Sequence, residues 1–171
     1  MKNEWIRQFI RLASREEPMF ANSEISLVPR EYYGLNRRIG CEHTLTFDIV
    51  ESCSEQVAGE ISLRLGDSPE QFYLGHVGYH VDPPFRGHRY AAQACRLCMP
   101  LLRYLGMRSA VITTDPTNLA SIKTCEILFC ELESTVNVPQ KITDKLEIST
   151  VKRRYLWRLD TETTGKDEHI L

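Results

Sequence analysis

The most informative stretch of this sequence is residues 82–91, which read Asp82-Pro83-Pro84-Phe85-Arg86-Gly87-His88-Arg89-Tyr90-Ala91. The two prolines end the strand predicted before them, because proline cannot donate a hydrogen bond to a β-ladder. After them, apolar residues recur at three- and four-residue spacing from Arg89 to Leu105, and Gly106 follows as a stop signal. This spacing predicts an amphipathic helix, so the stretch is a strand-to-helix connection.

The connection also has groups that bind a phosphate. The first turn of a helix carries about half a positive charge and several unpaired N–H groups, which favour an anion. Gly87 lets the backbone approach a ligand closely, and Arg86, His88 and Arg89 supply donors for a diphosphate. An ordinary turn with solvated arginines explains this segment equally well when the segment is taken alone.

The segments before the connection have the period of β-strands. Apolar and polar residues alternate over 45–50 and 57–65, and a third strand is predicted over 72–82. The turn residues Gly66-Asp67-Ser68-Pro69 separate the second and third strands. Because the connections are short, we expect the three strands to form an antiparallel meander.

The outer segments complete the order of elements. They are a helix over 3–16, a strand over Ile25–Val28 ended by Pro29, a strand over Ser109–Thr114, a helix over Leu119–Leu128 capped by the turn Asp115-Pro116-Thr117-Asn118, and closing strands over Glu131–Val138 and Lys152–Leu159. Residues 30–42 have no readable pattern, and a polar loop joins the closing strands. Helices and strands are therefore mixed along the chain, as in an α/β fold.

Composition fits one globular domain. The chain has 171 residues, 42% of them apolar and 26% charged, and its 21 basic and 23 acidic side chains leave a net charge of −2. We expect one domain over 1–160 and a polar tail over 161–171. The charge balance argues against a nucleic-acid partner, and no apolar run approaches the roughly 18 residues of a membrane span. The charged N-terminal segment does not resemble a secretory signal, so a cytoplasmic location is expected.

Six cysteines invite a metal or redox interpretation. A zinc site would combine Cys95 and Cys98 with Cys125 and Cys130, but neither pair lies in a zinc-knuckle turn. A redox pair places its nucleophilic thiol at a helix N-terminus, whereas Cys95 and Cys98 lie mid-helix on the apolar face. We expect free thiols and no metal. The basic and aromatic residues of 152–158 alternate as in a strand, and RNA binding is not indicated.

Four segments between residues 59 and 130 form a recognisable set. They are Gly59-Glu60-Ile61, Gly78-Tyr79-His80-Val81-Asp82-Pro83, Arg86-Gly87-His88-Arg89-Tyr90-Ala91, and Asn118-Leu119-Ala120-Ser121 followed by Glu126. Together they resemble the GNAT superfamily of acyl-CoA-dependent N-acetyltransferases. The family's phosphate loop reads Gln/Arg-x-x-Gly-x-Gly/Ala, which Arg86 and Ala91 match at the first and last positions. Asn118 with Ser121 is most similar to the branch that contains the ribosomal-protein N-terminal acetyltransferases.

The resemblance implies a fold and a binding site for acetyl-CoA as co-substrate, with no metal. The fold is an α/β domain whose mixed, mostly antiparallel sheet is flanked by helices and splayed at the acetyl-CoA site. The residues implied in binding are the backbone of Tyr79, His80 and Val81 for the pantetheine arm, the loop Arg86, Gly87, His88, Arg89, Tyr90 and Ala91 for the diphosphate, and Asn118 and Ser121 for the thioester end.

The implied catalytic groups depart from the family pattern. Many members have a tyrosine, the acid for the leaving thiolate, seven residues after the asparagine, where this chain has Cys125. Ser121 is the preferred substitute and Cys125 a second candidate. Glu60 is the candidate base, although it also fits a solvent-facing position on a half-buried strand. Arg89 replaces the family's loop glycine, which an ordinary helical first turn would accommodate.

The implied function is transfer of an acetyl group from acetyl-CoA to a primary amine, of a small molecule or of a peptide N-terminus, by direct attack. Cys125 leaves a second hypothesis open: a domain that binds CoA without turnover and acts as a sensor or scaffold. The sequence does not identify the amine acceptor. It is compatible with a homodimer and does not require one.

Overall fold

A computed structural model describes residues 4–160 of the chain. Within this range it forms eight strands and five α-helices, in the order α1 (Glu4–Ala13), β1 (Phe20–Ala21), β2 (Ile25–Tyr33), β3 (His43–Glu51), β4 (Val57–Leu65), α2 (Pro69–Leu74), β5 (Val77–Val81), α3 (Tyr90–Tyr104), β6 (Ser109–Thr114), α4 (Leu119–Ile127), β7 (Glu131–Asn137), α5 (Gln140–Leu146) and β8 (Val151–Arg158). A 3-10 turn over Pro83–Phe85 follows β5. The polar tail predicted over 161–171 lies outside the described residues.

The strands form one sheet in the order β1-β2-β3-β4-β5-β6-β8-β7. Neighbouring strands are antiparallel except β5 and β6, which are parallel. The prediction of a mixed, mostly antiparallel sheet flanked by helices is confirmed, and so is the antiparallel meander of β3, β4 and β5.

The parallel pair at the centre of the sheet is short. Only Val77 and Ile112 are in register between β5 and β6, whereas β4 and β5 pair over five positions from Gly59↔Val81 to Leu63↔Val77. The rest of β5 therefore has β4 on one side and no paired strand on the other. This divergence opens a cleft between β5 and β6, and the predicted splay is confirmed.

The core lies between the sheet and its helices. α1 packs on β2 and β3, with Phe9 fully buried against Phe47 at a ring-centroid distance of 5.2 Å. α3 packs on the sheet through buried small and apolar side chains, among them Ala94, Cys95 and Leu102. One continuous core therefore holds the central strands in place from the α3 side.

The strand predicted over 72–82 is wrong at its start, because residues 72–74 belong to the helix α2 and the strand covers only Val77–Val81. Ser68 caps this helix by accepting a hydrogen bond from the Gln71 backbone N–H at 3.0 Å, and Pro69 occupies its first turn. Proline is favoured there because the first N–H groups of a helix have no internal partner. Ser68 and Pro69, which were interpreted as turn residues, therefore begin a helix. The strand β5 begins only at Val77.

Two other boundaries differ from the sequence prediction. β2 continues past Pro29 to Tyr33, and Pro29 is paired with Phe47 before the register shift between Pro29 and Glu31. The Leu27 carbonyl accepts from Met19 N on the side of β1, so by alternation the Pro29 nitrogen also points away from β3 and no ladder hydrogen bond from it is required. The polar loop predicted between the closing strands contains α5, a short helix over Gln140–Leu146.

Candidate active site

The connection between β5 and α3 is an exposed loop fixed at both ends. After the 3-10 turn, the Arg86 Nε donates to the carbonyl of Val81 at 3.0 Å. At the other end, the Tyr90 hydroxyl donates to Glu51 Oε1 at 2.6 Å, and this bond raises the pKa of Tyr90 to about 12. The ring of His88 stacks on that of Tyr90 at a centroid distance of 5.3 Å. The loop backbone is thus held against β3 and β5 while residues 86–89 stay in solvent.

The backbone of Arg89 differs from the sequence expectation. It has φ 62° and ψ 24°, in the left-handed region, and not the angles of a helical first turn. Glycine reaches this region freely, whereas side-chain-bearing residues pay a steric cost. The expectation of an ordinary helical turn was therefore wrong. The loop keeps a conformation that favours glycine although arginine stands there.

The N-terminus of α3 has no side-chain cap among the described residues. Its first-turn N–H groups are therefore open on the side of the loop. Arg86 and Arg89 are both exposed beside this turn, and the first turn contains no acidic residue. The combination of open N–H groups, helix dipole and two guanidinium groups suits an anionic ligand.

The cleft between β5 and β6 contains a cavity of about 200 Å³. Its walls come from β4, β5, β6, α4 and β8, together with residues of α2. The lining residues are Arg64, Tyr73, Leu74, Val77, Gly78, Tyr79, Ile112, Thr113, Thr114, Asp115, Asn118, Ser121 and Lys152. The cavity thus extends from the first residues of β5 to the N-terminus of α4.

Tyr79 crosses the cleft from β5 to α4. Its hydroxyl donates to the carbonyl of Ser121 at 3.4 Å. Burial raises the pKa of Tyr79 well above its ordinary value, and the neighbouring thiols of Cys95 and Cys125 add to the shift. Cys125 itself is fully buried and does not line the cavity. The phenol, not this thiol, faces the cleft.

Asn118 and Ser121 meet at the start of α4. The Asn118 Oδ1 accepts a hydrogen bond from the Ser121 backbone N–H at 3.1 Å, which makes Asn118 the N-cap. Both residues line the cavity. The Ser121 position is therefore fixed by the cap and by the bond from Tyr79.

Glu60 and His80 lie opposite each other on β4 and β5. The Arg30 Nη2 donates to Glu60 Oε2 at 2.6 Å, and Nη1 of the same guanidinium donates to Asp48 at 2.9 Å. Glu60 does not line the cavity, and its side chain is 43% exposed. His80 faces Asp82, with Nε2 3.2 Å from a carboxylate oxygen. Glu60 is therefore engaged by a cation at the margin of the cleft.

The cysteines are distributed through the core. Cys95, Cys98 and Cys125 are fully buried, and burial raises the pKa values of Cys95 and Cys98. In residues 4–160 no three His, Cys, Asp or Glu side chains are grouped so that they can hold a metal ion. No helix in that range is long and apolar enough to cross a membrane.

A comparison with protein-family models identifies the fold family. The model of the GNAT acetyltransferase domain matches residues 7–128, which is most of the chain. The chain belongs to the GNAT acetyltransferase family. No curated protein matches it in sequence.

Solved GNAT structures share the fold at low sequence identity. The Microcin C7 self-immunity acetyltransferase MccE, solved with acetyl-CoA and AMP, is 18% identical with a TM-score of 0.53, over 67% of this chain and 61% of that chain. The ribosomal-protein-S5-alanine acetyltransferase from Vibrio fischeri is 18% identical with a TM-score of 0.53, over 68% and 62%. RimL, a ribosomal L7/L12 alpha-N-protein acetyltransferase, is 20% identical with a TM-score of 0.52, over 70% and 72%. The alignment thus spans less than two thirds of the first two proteins.

Within this GNAT domain, only some of the β5 backbone groups predicted to contact the pantetheine arm face the cleft, and the others face β4. The carbonyl of His76 accepts from Arg64 N at 2.7 Å and the N–H of Asp82 donates to Ala58 O at 2.8 Å, so these two groups face β4, whereas the N–H of His76 donates to Val111 O of β6. By the alternation of an antiparallel ladder, the backbone groups of His80 also face β4. The backbone groups of Tyr79 and Val81 face the cleft, and the carbonyl of Val81 already accepts the bond from Arg86.

The charged lining of the cleft was not predicted from the sequence. Arg64, Asp115 and Lys152 all line the cavity. Although burial raises it, the pKa of Asp115 lies below its ordinary value because Lys152 and Ser149 donate hydrogen bonds to the carboxylate. The alternation of β4 places Arg64 on the same face as Glu60, and this signal was available in the sequence. The approach of Lys152 follows only from the sheet order, which brings β8 beside β6.

Proposed function

We propose that this GNAT domain transfers an acetyl group from acetyl-CoA to a primary amine by direct attack of the amine on the thioester carbonyl. One observation carries the proposal: the splayed cleft between β5 and β6 leads along β5 to an α3 N-terminus that no described side chain caps. A cofactor with an extended arm and a diphosphate matches this pairing of a strand edge with an anion site.

The residues present fit acetyl-CoA at both ends. The backbone groups of Tyr79 and the N–H of Val81 face the cleft, and we propose that they pair with the pantetheine arm as another strand would. The loop Arg86–Ala91 offers its N–H groups and two arginines to the diphosphate. Asn118 and Ser121 line the cavity at the thioester end. The backbone of His80 faces β4, so it is not proposed to bind the pantetheine arm. Its side chain lies beside Glu60.

Protonation of the leaving thiolate requires an acid in the cleft. Ser121 lines the cavity, whereas Cys125 is buried behind Tyr79. We propose Ser121 as the acid, with the Tyr79 phenol as a positioning group that fixes Ser121 through its carbonyl. Cys125 then acts only through its contact with Tyr79.

Glu60 is proposed as the base that deprotonates the amine through water. The bond from Arg30 holds its carboxylate on the polar face of the sheet, at the position across from His80. Transfer through an intervening water is consistent with its place outside the cavity lining.

The test of this function is a calorimetric titration of the purified protein with acetyl-CoA, with dephospho-CoA and ATP as controls. Saturable one-to-one binding of acetyl-CoA is expected, followed by release of free thiol in the presence of a suitable amine. Absence of binding at millimolar acetyl-CoA would contradict the proposed site.

Ser121→Ala and Tyr79→Phe test the acid. We expect Ser121→Ala to lower kcat more than it weakens acetyl-CoA binding, since the hydroxyl acts on the leaving group. Tyr79→Phe removes only the phenolic bond and is expected to lower kcat less. If Ser121→Ala has wild-type kcat and Tyr79→Phe does not, the phenol is the acid.

A second candidate function is a CoA-binding sensor or scaffold without turnover. The observation that favours it is the burial of Cys125, which places a thiol inside the core at the family's acid position. Acetyl-CoA binding with no thiol release across a broad amine screen would support this function over the transferase.

A further inference from the structure

Arg64 is a cation in the cleft without a carboxylate partner among residues 4–160. Its guanidinium lies across β5 against Gly78: a Cβ at Gly78 would be 2.6 Å from Nη2 and 2.8 Å from Nη1. The absence of a side chain at residue 78 therefore makes room for this group. Its hydrogen bond to the Leu74 carbonyl is long, at 3.4 Å from Nη1.

The other charged groups near Arg64 are already paired. Lys152 Nζ lies 2.5 Å from Asp115 Oδ1, and Glu60 is held by Arg30 at 2.6 Å. Of the ionisable side chains lining the cavity, Arg64 and Lys152 are positive and Asp115 is negative, which leaves one positive charge uncompensated. That charge is carried by Arg64.

The surroundings of Arg64 make this charge costly. Burial lowers the pKa of its guanidinium, and no described carboxylate compensates by direct contact. A guanidinium has five N–H donors in a planar fork, of which the structure occupies one with a long bond to Leu74. An anion that enters the cavity would restore the missing hydrogen bonds and balance the charge.

We infer that Arg64 binds a carboxylate of the acceptor, so that the acceptors are small amines that carry a carboxylate beside the amine, as free amino acids do. This inference rests on the proposed acetyl transfer. The planar fork of arginine matches a carboxylate through two parallel hydrogen bonds. The cavity of about 200 Å³ also receives the thioester end, so the part of the acceptor that lies inside it is small.

The test measures binding of reaction products, so it does not depend on turnover. Protein saturated with CoA is titrated with N-acetylalanine, N-acetylleucine and N-acetylphenylalanine, each compared with its amide and with the N-acetyl derivative of its decarboxylated amine. We expect each acid to bind at least about tenfold more tightly than both neutral counterparts.

Two variants assign this preference to Arg64. Arg64→Gln removes the charge, and Gly78→Ala keeps Arg64 but displaces its guanidinium, so both are expected to abolish the preference for the acids. Arg64→Lys is expected to retain part of it. Arg158→Gln is the matched control, because Arg158 is an exposed arginine paired with Glu131 and does not line the cavity.

Each outcome decides the inference. Equal binding of acid and amide would indicate a peptide N-terminus as acceptor and overturn it. A preference that persists in Arg64→Gln and Gly78→Ala, or no binding of any acid at tens of millimolar, would overturn it as well. If CoA itself does not bind to the wild-type protein, the proposed function fails. If CoA binds and the acids show no preference, only this inference fails.

Discussion

The two helices that border the cofactor cleft begin in different ways. α4 begins with Asn118, whose side chain accepts a hydrogen bond from the Ser121 N–H at 3.1 Å. α3 begins after Arg89, in the left-handed conformation, and no described side chain caps its first turn. Neither first turn contains an acidic residue. The two helix starts therefore differ mainly in whether their N–H groups are occupied.

This difference gives the two helix starts different roles: the one at α3 suits an anion, and the one at α4 positions Ser121. A helix N-terminus attracts an anion only where its N–H groups are free to donate. At α3 they are free and are flanked by Arg86 and Arg89, so the diphosphate site is proposed there. At α4 the Asn118 side chain accepts the hydrogen bond from the Ser121 N–H, so this donor is occupied and Ser121 is fixed at the cavity. The open helix start suits the diphosphate, and the capped one suits the reacting end.

The largest expected effect comes from a negative charge at the open helix start. Arg89→Asp replaces a cation by a carboxylate beside the diphosphate, and aspartate tolerates the left-handed conformation, so the loop is retained. We expect acetyl-CoA affinity to fall by at least about a hundredfold, or about 3 kcal/mol. Calorimetric titration measures the change.

Arg89→Asn is the matched control, because it has the same shape and conformational preference without the charge. Its expected loss is about tenfold. An equal loss in both variants would show that charge reversal is not the cause. Unchanged affinity in Arg89→Asp would place the diphosphate away from α3.

The next effect concerns Arg86, on the other side of the open helix start. Arg86→Ala should weaken acetyl-CoA binding by about 1.5–3 kcal/mol if its guanidinium makes a charge-assisted contact. The loss should shrink at high salt, because the side chain is exposed. Arg158→Ala removes an exposed arginine elsewhere and should leave the affinity unchanged. A loss that is independent of salt would indicate that Arg86 acts only by fixing the loop through Val81.

The sequence was sufficient for elements whose signals are local. The 3.6-residue period placed α3, and β6 over Ser109–Thr114 was predicted with its observed bounds. The failures occurred where one signal has two structural meanings. Ser68-Pro69 is both a turn and a helix start, and Pro29 ends a strand unless its nitrogen points away from the paired strand. Such choices depend on tertiary contacts.

The same limit applies to the site. The loop 82–91 is contiguous, so its residue types and order could be interpreted directly. The cavity is assembled from β4, β5, β6 and β8, whose order in the sheet is not written in any local pattern. Arg64 was not among the predicted site residues for this reason. The role of Gly78 appears only when the guanidinium is seen to occupy its side-chain space.

Removing the N-cap of α4 tests the capped helix start. Asn118→Ala leaves the Ser121 N–H without its partner and should lower the free energy of unfolding by about 1 kcal/mol. Thermal or urea unfolding measures it. Thr117→Ala, at the adjacent exposed position, removes no capping bond and should change stability little. If the two variants are equally stable, Asn118 does not cap α4 in solution.

The smallest effect isolates the backbone of the open helix start. Arg89→Gly relieves the steric cost of the left-handed conformation, while the added freedom of the unfolded chain offsets part of the gain. We expect a net stabilisation of about 0.5 kcal/mol, measured by urea unfolding. Arg89→Ala removes the same charge but keeps a Cβ in the strained conformation, so it should not be stabilised. Equal stability of the glycine and alanine variants would mean that Arg89 leaves the left-handed region in solution.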